Sequence, residues 1–372
     1  MTTPPPARPG MTVDEVDTPA LLVDLDAFEA NLQRMAREMT GVRIRPHAKT
    51  HKCAVIGLQQ MALGAVGMCC QKVSEAEALV YGGVSDVLVT NEVVGRHKLQ
   101  RLAALARRAH IGVCVDDAGN LDDVAAAATE AGVTLDLYVE IDVGAARCGV
   151  APDQAAVALA KQAASKPSLK FMGLQAYHGS AQHLRTPAER KAAIQSASAK
   201  SAQAKALIEK AGIPCPIVTG AGTGTYRLEA ASGVYNEIQP GSYIFMDADY
   251  ARNQGEGNRP FDDFRHSLFV LATVMSRSAP DRAVTDAGMK ALSIDSGLPT
   301  LADGVEAEYV SASDEHGKLQ LGASARGIKL GDKLRLIPGH CDPTVNLYDW
   351  YVCVRGNRVE VVWPIAARGA VA

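Results

Sequence analysis

Lys49 stands in the stretch Arg45-Pro46-His47-Ala48-Lys49-Thr50-His51-Lys52, where five basic or potentially basic groups fall within eight residues. Burial or mutual repulsion would depress its amine pKa and free it to form a Schiff base with a carbonyl. A phosphate-binding or solvated basic loop is the plainer reading of the same residues. Further along, residues 219–225 carry three glycines and three threonines. Backbone N–H groups and hydroxyls of Thr219, Gly222, Thr223 and Gly224 could cradle a phosphate dianion there, with Gly241, Ser242 and Tyr243 as the opposite wall. A flexible turn is the alternative. A phosphate site beside a Schiff-base lysine suggests pyridoxal phosphate, an electron sink for a carbanion at Cα. Arg147 and Tyr177 would face its ring, unless they are a surface ion-pair residue and a packed rim aromatic.

A second chemistry is written in His340-Cys341-Asp342. In extended chain, residues two apart face the same way, so His340 and Asp342 could ligate one cation while Cys341 points elsewhere. Mixed nitrogen and oxygen donors suit Mn²⁺ or Mg²⁺, with Zn²⁺ also open. A turn with an aspartate before proline would explain the same residues.

These residues need a scaffold. Short apolar segments recur at 42–45, 65–69, 86–89, 111–115, 135–141, 171–176, 216–218 and 234–238, mostly with helical pattern between them. Strands alternating with helices imply parallel pairing with right-handed crossovers, and eight such units imply a (β/α)8 TIM barrel. Its active site belongs at the C-terminal strand ends, where Lys49, Arg147, Tyr177 and the glycine-rich loop all fall. Residues 18–24 form a ninth strand, ahead of a helix over 25–39, and must join another sheet. Thr186-Pro187-Ala188-Glu189 is a capping box opening a long helix that stops at Gly212. Beyond residue 260 the helical period vanishes. Strand-like segments at 266–276, 282–286, 290–293, 333–337, 349–354 and 359–362 imply an all-β domain. The expected division is a barrel over 25–260 and a β domain built from 11–24 plus 261–372.

Composition narrows the class. A chain of 372 residues exceeds one ordinary core, in line with two domains. The net charge of −3 gives no footing for nucleic acid, and no run is long and apolar enough for a membrane span. Eight cysteines without a CxxC pair or an export signal read as reduced thiols, mostly buried, in a cytoplasmic protein.

Five stretches together resemble the fold-type III, alanine racemase-like pyridoxal phosphate enzymes. They are Pro46 to Lys52, Cys69-Cys70-Gln71-Lys72-Val73-Ser74-Glu75, Gln175-Ala176-Tyr177-His178-Gly179-Ser180, residues 239–247, and His340 with Asp342. The likeness is to the branch of D-threonine aldolases, 3-hydroxy-D-aspartate aldolases and D-serine dehydratases, greatest to the first, and spans residues 17–368. It implies that Lys49 holds the cofactor and that His340 and Asp342 hold the metal. It also implies that His183 takes the substrate hydroxyl proton, where the residues alone allow a simple loop histidine. The dehydratase relatives carry cysteine at the position of Asp342, which favours an aldolase. The implied reaction is metal-assisted retro-aldol cleavage of a D-β-hydroxy-α-amino acid to glycine and an aldehyde, by a homodimer. A D-serine or 3-hydroxy-D-aspartate dehydratase is the first rival. A racemase needs no metal, and a pyridoxal phosphate homeostasis protein lacks the β domain. The substituent at Cβ stays open among D-threonine, D-phenylserine and 3-hydroxy-D-aspartate.

Overall fold

The computed structural model describes residues 3–372. The chain opens with β1 (Ala20–Asp24), which runs directly into α1 (Leu25–Glu38). Asp24 ends the strand and caps the helix, its side chain accepting from the Ala27 amide. Eight βα units follow. They are β2 (Arg43–Ile44) with α2 (Ala54–Ala62), β3 (Met68–Cys70) with α3 (Val73–Tyr81), and β4 (Asp86–Glu92) with α4 (Arg96–Leu105). Next come β5 (His110–Val115) with α5 (Ala118–Ala131), β6 (Leu135–Glu140) with α6 (Gln154–Ala164), and β7 (Leu169–Gln175) with α7 (Pro187–Lys210). Then β8 (Ile217–Gly220) leads to α8 (Tyr226–Ala230), and β9 (Glu237–Ile238) to α9 (Ala248–Ala251).

The eight strands pair in parallel in the order β2-β9-β8-β7-β6-β5-β4-β3. A parallel bridge between His47 and Cys69 joins the ends, so the sheet closes as the strand–helix alternation predicts. Its interior is filled by Cys69, Leu88, Cys114, Tyr138 and Ile217. At the same level the buried Arg45 guanidinium meets Glu237 and Asp86. The expected capping box is present, with Thr186 and Glu189 exchanging hydrogen bonds and Pro187 in the first turn of α7.

The remaining strands are β10 (Leu268–Ala279), β11 (Arg282–Thr285), β12 (Thr300–Leu301), β13 (Ala307–Ala312), β14 (Gly317–Leu321), β15 (Lys333–Ile337), β16 (Trp350–Arg355) and β17 (Arg358–Pro364). A short helix, α10 (Cys341–Val345), interrupts them. Strand β10 is long enough to serve two sheets. Its first half pairs with β1 and β15; past register shifts after Val274 its second half pairs with β11. The N-terminal strand β1 lies between β10 and β16, as its surplus over eight requires. Residues 290–293, expected as a strand, instead form a turn in which the Ala291 and Leu292 amides donate to the Gly288 carbonyl. One apolar cluster spans Phe28, Ile56, Tyr226 and Tyr243 from the barrel side and Val270, Leu336, Tyr351 and Trp363 from the β side. The two parts therefore share a core.

Candidate active site

The C-terminal strand ends enclose a cavity of about 490 Å³. Lys49 reaches it from the turn after β2. The β domain grips that turn, since Tyr351 donates to the His51 carbonyl at 2.8 Å and the Ala367 amide to that of Lys52 at 3.0 Å. The expected cluster of mutually repelling cations does not form. Arg45 points into the barrel, and Lys52 is buried against Glu75. His47 and His51 are buried, and desolvation keeps both neutral, His51 down to about 3. Of the Arg and Lys side chains in this stretch, Lys49 is the one that lines the cavity, in contact with the Asp342 carboxylate. Burial would lower its amine pKa, but Asp342 outweighs burial and holds it above the usual lysine value. The predicted depression of Lys49 is therefore corrected to the opposite direction. The lysine side chain is 37% exposed to the cavity, so solvent moderates that pull.

Asp342 does not sit in extended chain either. His340 is extended at φ −147°, but Cys341 starts α10 and Asp342 lies in its first turn. The Cys341 amide donates to Asp247 at 3.0 Å, and its thiol turns to the Met246 carbonyl, away from the cavity. Burial raises the Asp342 carboxyl, while Lys49 and His340 lower it further, to about 2. Its Oδ1 is buried without a hydrogen-bond partner among the described residues. His340 Nδ1 lies 2.8 Å from Asp295 Oδ2, which leaves Nε2 free. One bare carboxylate oxygen and one free imidazole nitrogen fit a divalent cation completed by water or substrate.

Gly222, Thr223, Gly241 and Ser242 line the cavity, and Thr223 Oγ1 is buried without a partner among the described residues. That orphan hydroxyl beside bare backbone fits a phosphate. Arg147 and Tyr177 also line it, with the guanidinium carbon 5.8 Å from the Tyr177 ring centroid. Arg147 additionally reaches Glu140 at 3.8 Å. His183 also lines the cavity, at the end of a 3-10 turn over Gly179–His183. Lys49 supplies an amine and the glycine-rich wall a phosphate seat, so pyridoxal phosphate fits the residues present.

Three expected contacts fall elsewhere. Thr219 is wholly buried in the barrel, bonded to Glu237 at 3.1 Å and Gln239 at 2.8 Å. Tyr243 is buried against Phe264, its hydroxyl accepting from Gln60. Gly224 donates its amide to Gln182 at 2.9 Å, and a Cβ there would come within 2.6 Å of the Gln182 carbonyl. Glycine is needed at 224 for that approach, not for a ligand.

Other lining residues went unassigned from sequence. Gln175 and Gln239 exchange amide hydrogen bonds across the floor, and the His47 ring is held between Thr90 and Gln71. All close strand ends, the one signal that could have found them. Glu92, Asp116 and Cys148 bring ligand atoms within 4.8 Å of one another on neighbouring strand ends. Nearby Glu140 is pushed up to about 8 by burial and then by Glu92.

Comparison with known proteins agrees with this fold. A family model for the alanine racemase N-terminal domain matches residues 23–249, and one for a serine dehydratase domain matches 267–354. The D-threonine aldolase of Arthrobacter sp. is 50% identical over 368 residues, covering 98% of this chain and 96% of that protein. The 3-hydroxy-D-aspartate aldolase of Paracoccus denitrificans strain Pd 1222 is 49% identical over 371 residues, covering 98% and 95%. The crystal structure of D-threonine aldolase from Filomicrobium marinum superposes with a TM-score of 0.96 at 50% identity, covering all of both chains.

Proposed function

The chain belongs to the alanine racemase-like enzymes of the D-threonine aldolase and 3-hydroxy-D-aspartate aldolase branch, and from that membership we propose a lyase that cleaves D-β-hydroxy-α-amino acids to glycine and an aldehyde. The observation that carries the reading is convergence. Lys49, with Asp342 against it, and His183 open onto one cavity beside the orphan hydroxyl of Thr223.

Bound pyridoxal phosphate supplies an electron sink for the pair left when the Cα–Cβ bond breaks. Lys49 would supply the amine that anchors it. Gly222, Thr223, Gly241 and Ser242 would hold its phosphate, with Arg147 and Tyr177 beside them in the same cavity. His340 Nε2 and Asp342 Oδ1 would hold a divalent cation, Mn²⁺ by their donor types, whose charge favours loss of a nearby hydroxyl proton. His183, which lines the same cavity, accepts the β-hydroxyl proton. The buried, neutral His47 and the paired Gln175 and Gln239 close the floor to bulk water. The enzyme works as a homodimer of its 39.2 kDa chain. All eight cysteines are free, which supports a reducing compartment, the cytoplasm.

The test is product analysis with added pyridoxal phosphate and Mn²⁺. D-Threonine should yield glycine and acetaldehyde, and L-threonine neither. A keto acid and ammonia from D-threonine would make the chain a dehydratase and overturn the reading.

A further inference from the structure

His183 is more constrained than a loop histidine need be. Its Nδ1 lies 2.5 Å from Asp249 Oδ2, and its ring packs against Tyr250 with centroids 5.5 Å apart. Deprotonated carboxylate oxygens only accept hydrogen bonds, so Nδ1 carries a proton, and in the neutral ring the lone pair is left on Nε2. Asp249 is itself held on its other oxygen, Oδ1, by Arg185 at 2.6 Å and Arg252 at 2.5 Å. Burial raises the Asp249 carboxyl, but hydrogen bonds from Arg185, His183 and Arg252 bring it below the ordinary value, so it is an anion.

The frame extends into the β domain. The Arg252 guanidinium also donates to the Ser296 carbonyl at 2.5 Å. Next to Ser296 is Asp295, whose carboxylate holds Nδ1 of His340. Both histidines are thus tied through Nδ1 to a carboxylate, on loops that one arginine joins.

We propose that Asp249 is the positioning residue of His183, fixing its ring with Nε2 as proton acceptor, and that Arg252 balances the Asp249 charge and locks this pair to the His340 loop. The inference rests on the aldolase reading, in which His183 takes the hydroxyl proton. The groups facing His183 are Asp249 and Tyr250 of α9, Arg252 beyond it, Arg185 of its own loop, and Lys49, Tyr177 and Arg147 across the cavity. An anion beside an imidazole favours its charged form, and a cation the neutral form. Removing Asp249 should therefore weaken the base, and removing Arg252 should strengthen it.

The experiment measures kcat and kcat/KM against pH for holoenzyme with Mn²⁺ and D-threonine. Asp249→Asn should lower kcat about 10- to 100-fold with little change in KM. Its acid limb should move down by about one pH unit, and that of Arg252→Gln should move up. Asp249→Glu, which keeps the charge, should bring the limb back toward wild type. Imidazole NMR of cofactor-free protein, with the His183 signal assigned by His183→Asn, should show the same opposed shifts without turnover. Limbs that stay fixed or move together, with an unshifted His183 titration, would overturn the proposal. Wild-type enzyme that releases no glycine would sink the aldolase reading alone, since the NMR titration still tests the pair.

Discussion

At the scale of single residues, the site is a contest between Lys49 and its neighbours. Lys49→Ala should abolish visible absorbance and the borohydride-fixed adduct, and reduce turnover by at least about a thousandfold. The labelled peptide should carry Lys49, because Lys52 is buried against Glu75 outside the cavity. An adduct on Lys52 would reassign the anchor. Chelation separates the second chemistry. EDTA should abolish cleavage while the absorbance persists, and Mn²⁺ should restore it. His340→Ala and Asp342→Ala should resist that rescue, whereas Cys341→Ser should stay active because its thiol faces the Met246 carbonyl. Full cleavage by a metal-free enzyme would remove the cation from the reaction. The placement of Lys49 at the cavity was open to inspection of the sequence, but its charge state was not. The carboxylate that decides it lies 293 residues away. No local count of basic groups can include such a partner.

At the scale of elements, barrel strands were legible because each is a short apolar run ending in polar residues. The strands β13 and β14 were not, since β13 buries only Tyr309 and β14 is a five-residue alternation that opens on a glycine. The turn at 290–293 deceived in the other direction, with buried Ala291 and Leu292 mimicking a strand. The glycine-rich loop shows the same limit. Gly222 and Gly224 both abut Gln182, so adding a Cβ at either displaces that side chain or its backbone. Gly222→Val should weaken cofactor binding, measured by absorbance titration. Gly224→Val should act instead on thermal stability, because its backbone meets the Gln182 carbonyl. Equal affinity in Gly222→Val and wild type would take this loop out of the site. The short helix α8 adds a pH effect. Glu229 in it is pushed up to about 8 by burial, against a hydrogen bond from Thr225. A carboxyl raised in the fold and ordinary when unfolded stabilises fully below its unfolded value near 4.5, and that stability is lost as pH rises toward 8. The melting temperature of cofactor-free protein should therefore fall by a few degrees between about pH 6 and 8.5. Glu229→Gln should flatten that slope, the remainder belonging to Glu140. An unchanged slope would mean that Glu229 is ionised in the fold.

At the scale of the whole molecule, the barrel and the β sheets are one cooperative body. Their shared core joins Phe28, Tyr243 and Phe245 to Tyr351 and Trp363. Residues 25–260 expressed alone would expose that surface to water and should be insoluble or molten, read by near-ultraviolet circular dichroism. A soluble, cooperatively melting barrel would show the core divisible. The intact chain should melt in a single transition. This arrangement also braces the turn that carries Lys49. Tyr351 holds the carbonyl two residues from Lys49, so the strand that completes the β sheet also fixes the barrel's lysine.

The placement of β1 has a consequence in time. Its four fully buried residues, Ala20 to Val23, find their antiparallel partner only in residues 268–271 and their parallel one beyond residue 350. A ribosome adding about 5–20 residues per second needs roughly 12–50 seconds to make the first partner after the strand emerges. For that interval every nascent copy displays an apolar ribbon with both edges open, the geometry that invites pairing with another chain. On polysomes, where many such ribbons hang side by side, the enzyme's yield depends on how well that one segment is kept apart from its twins.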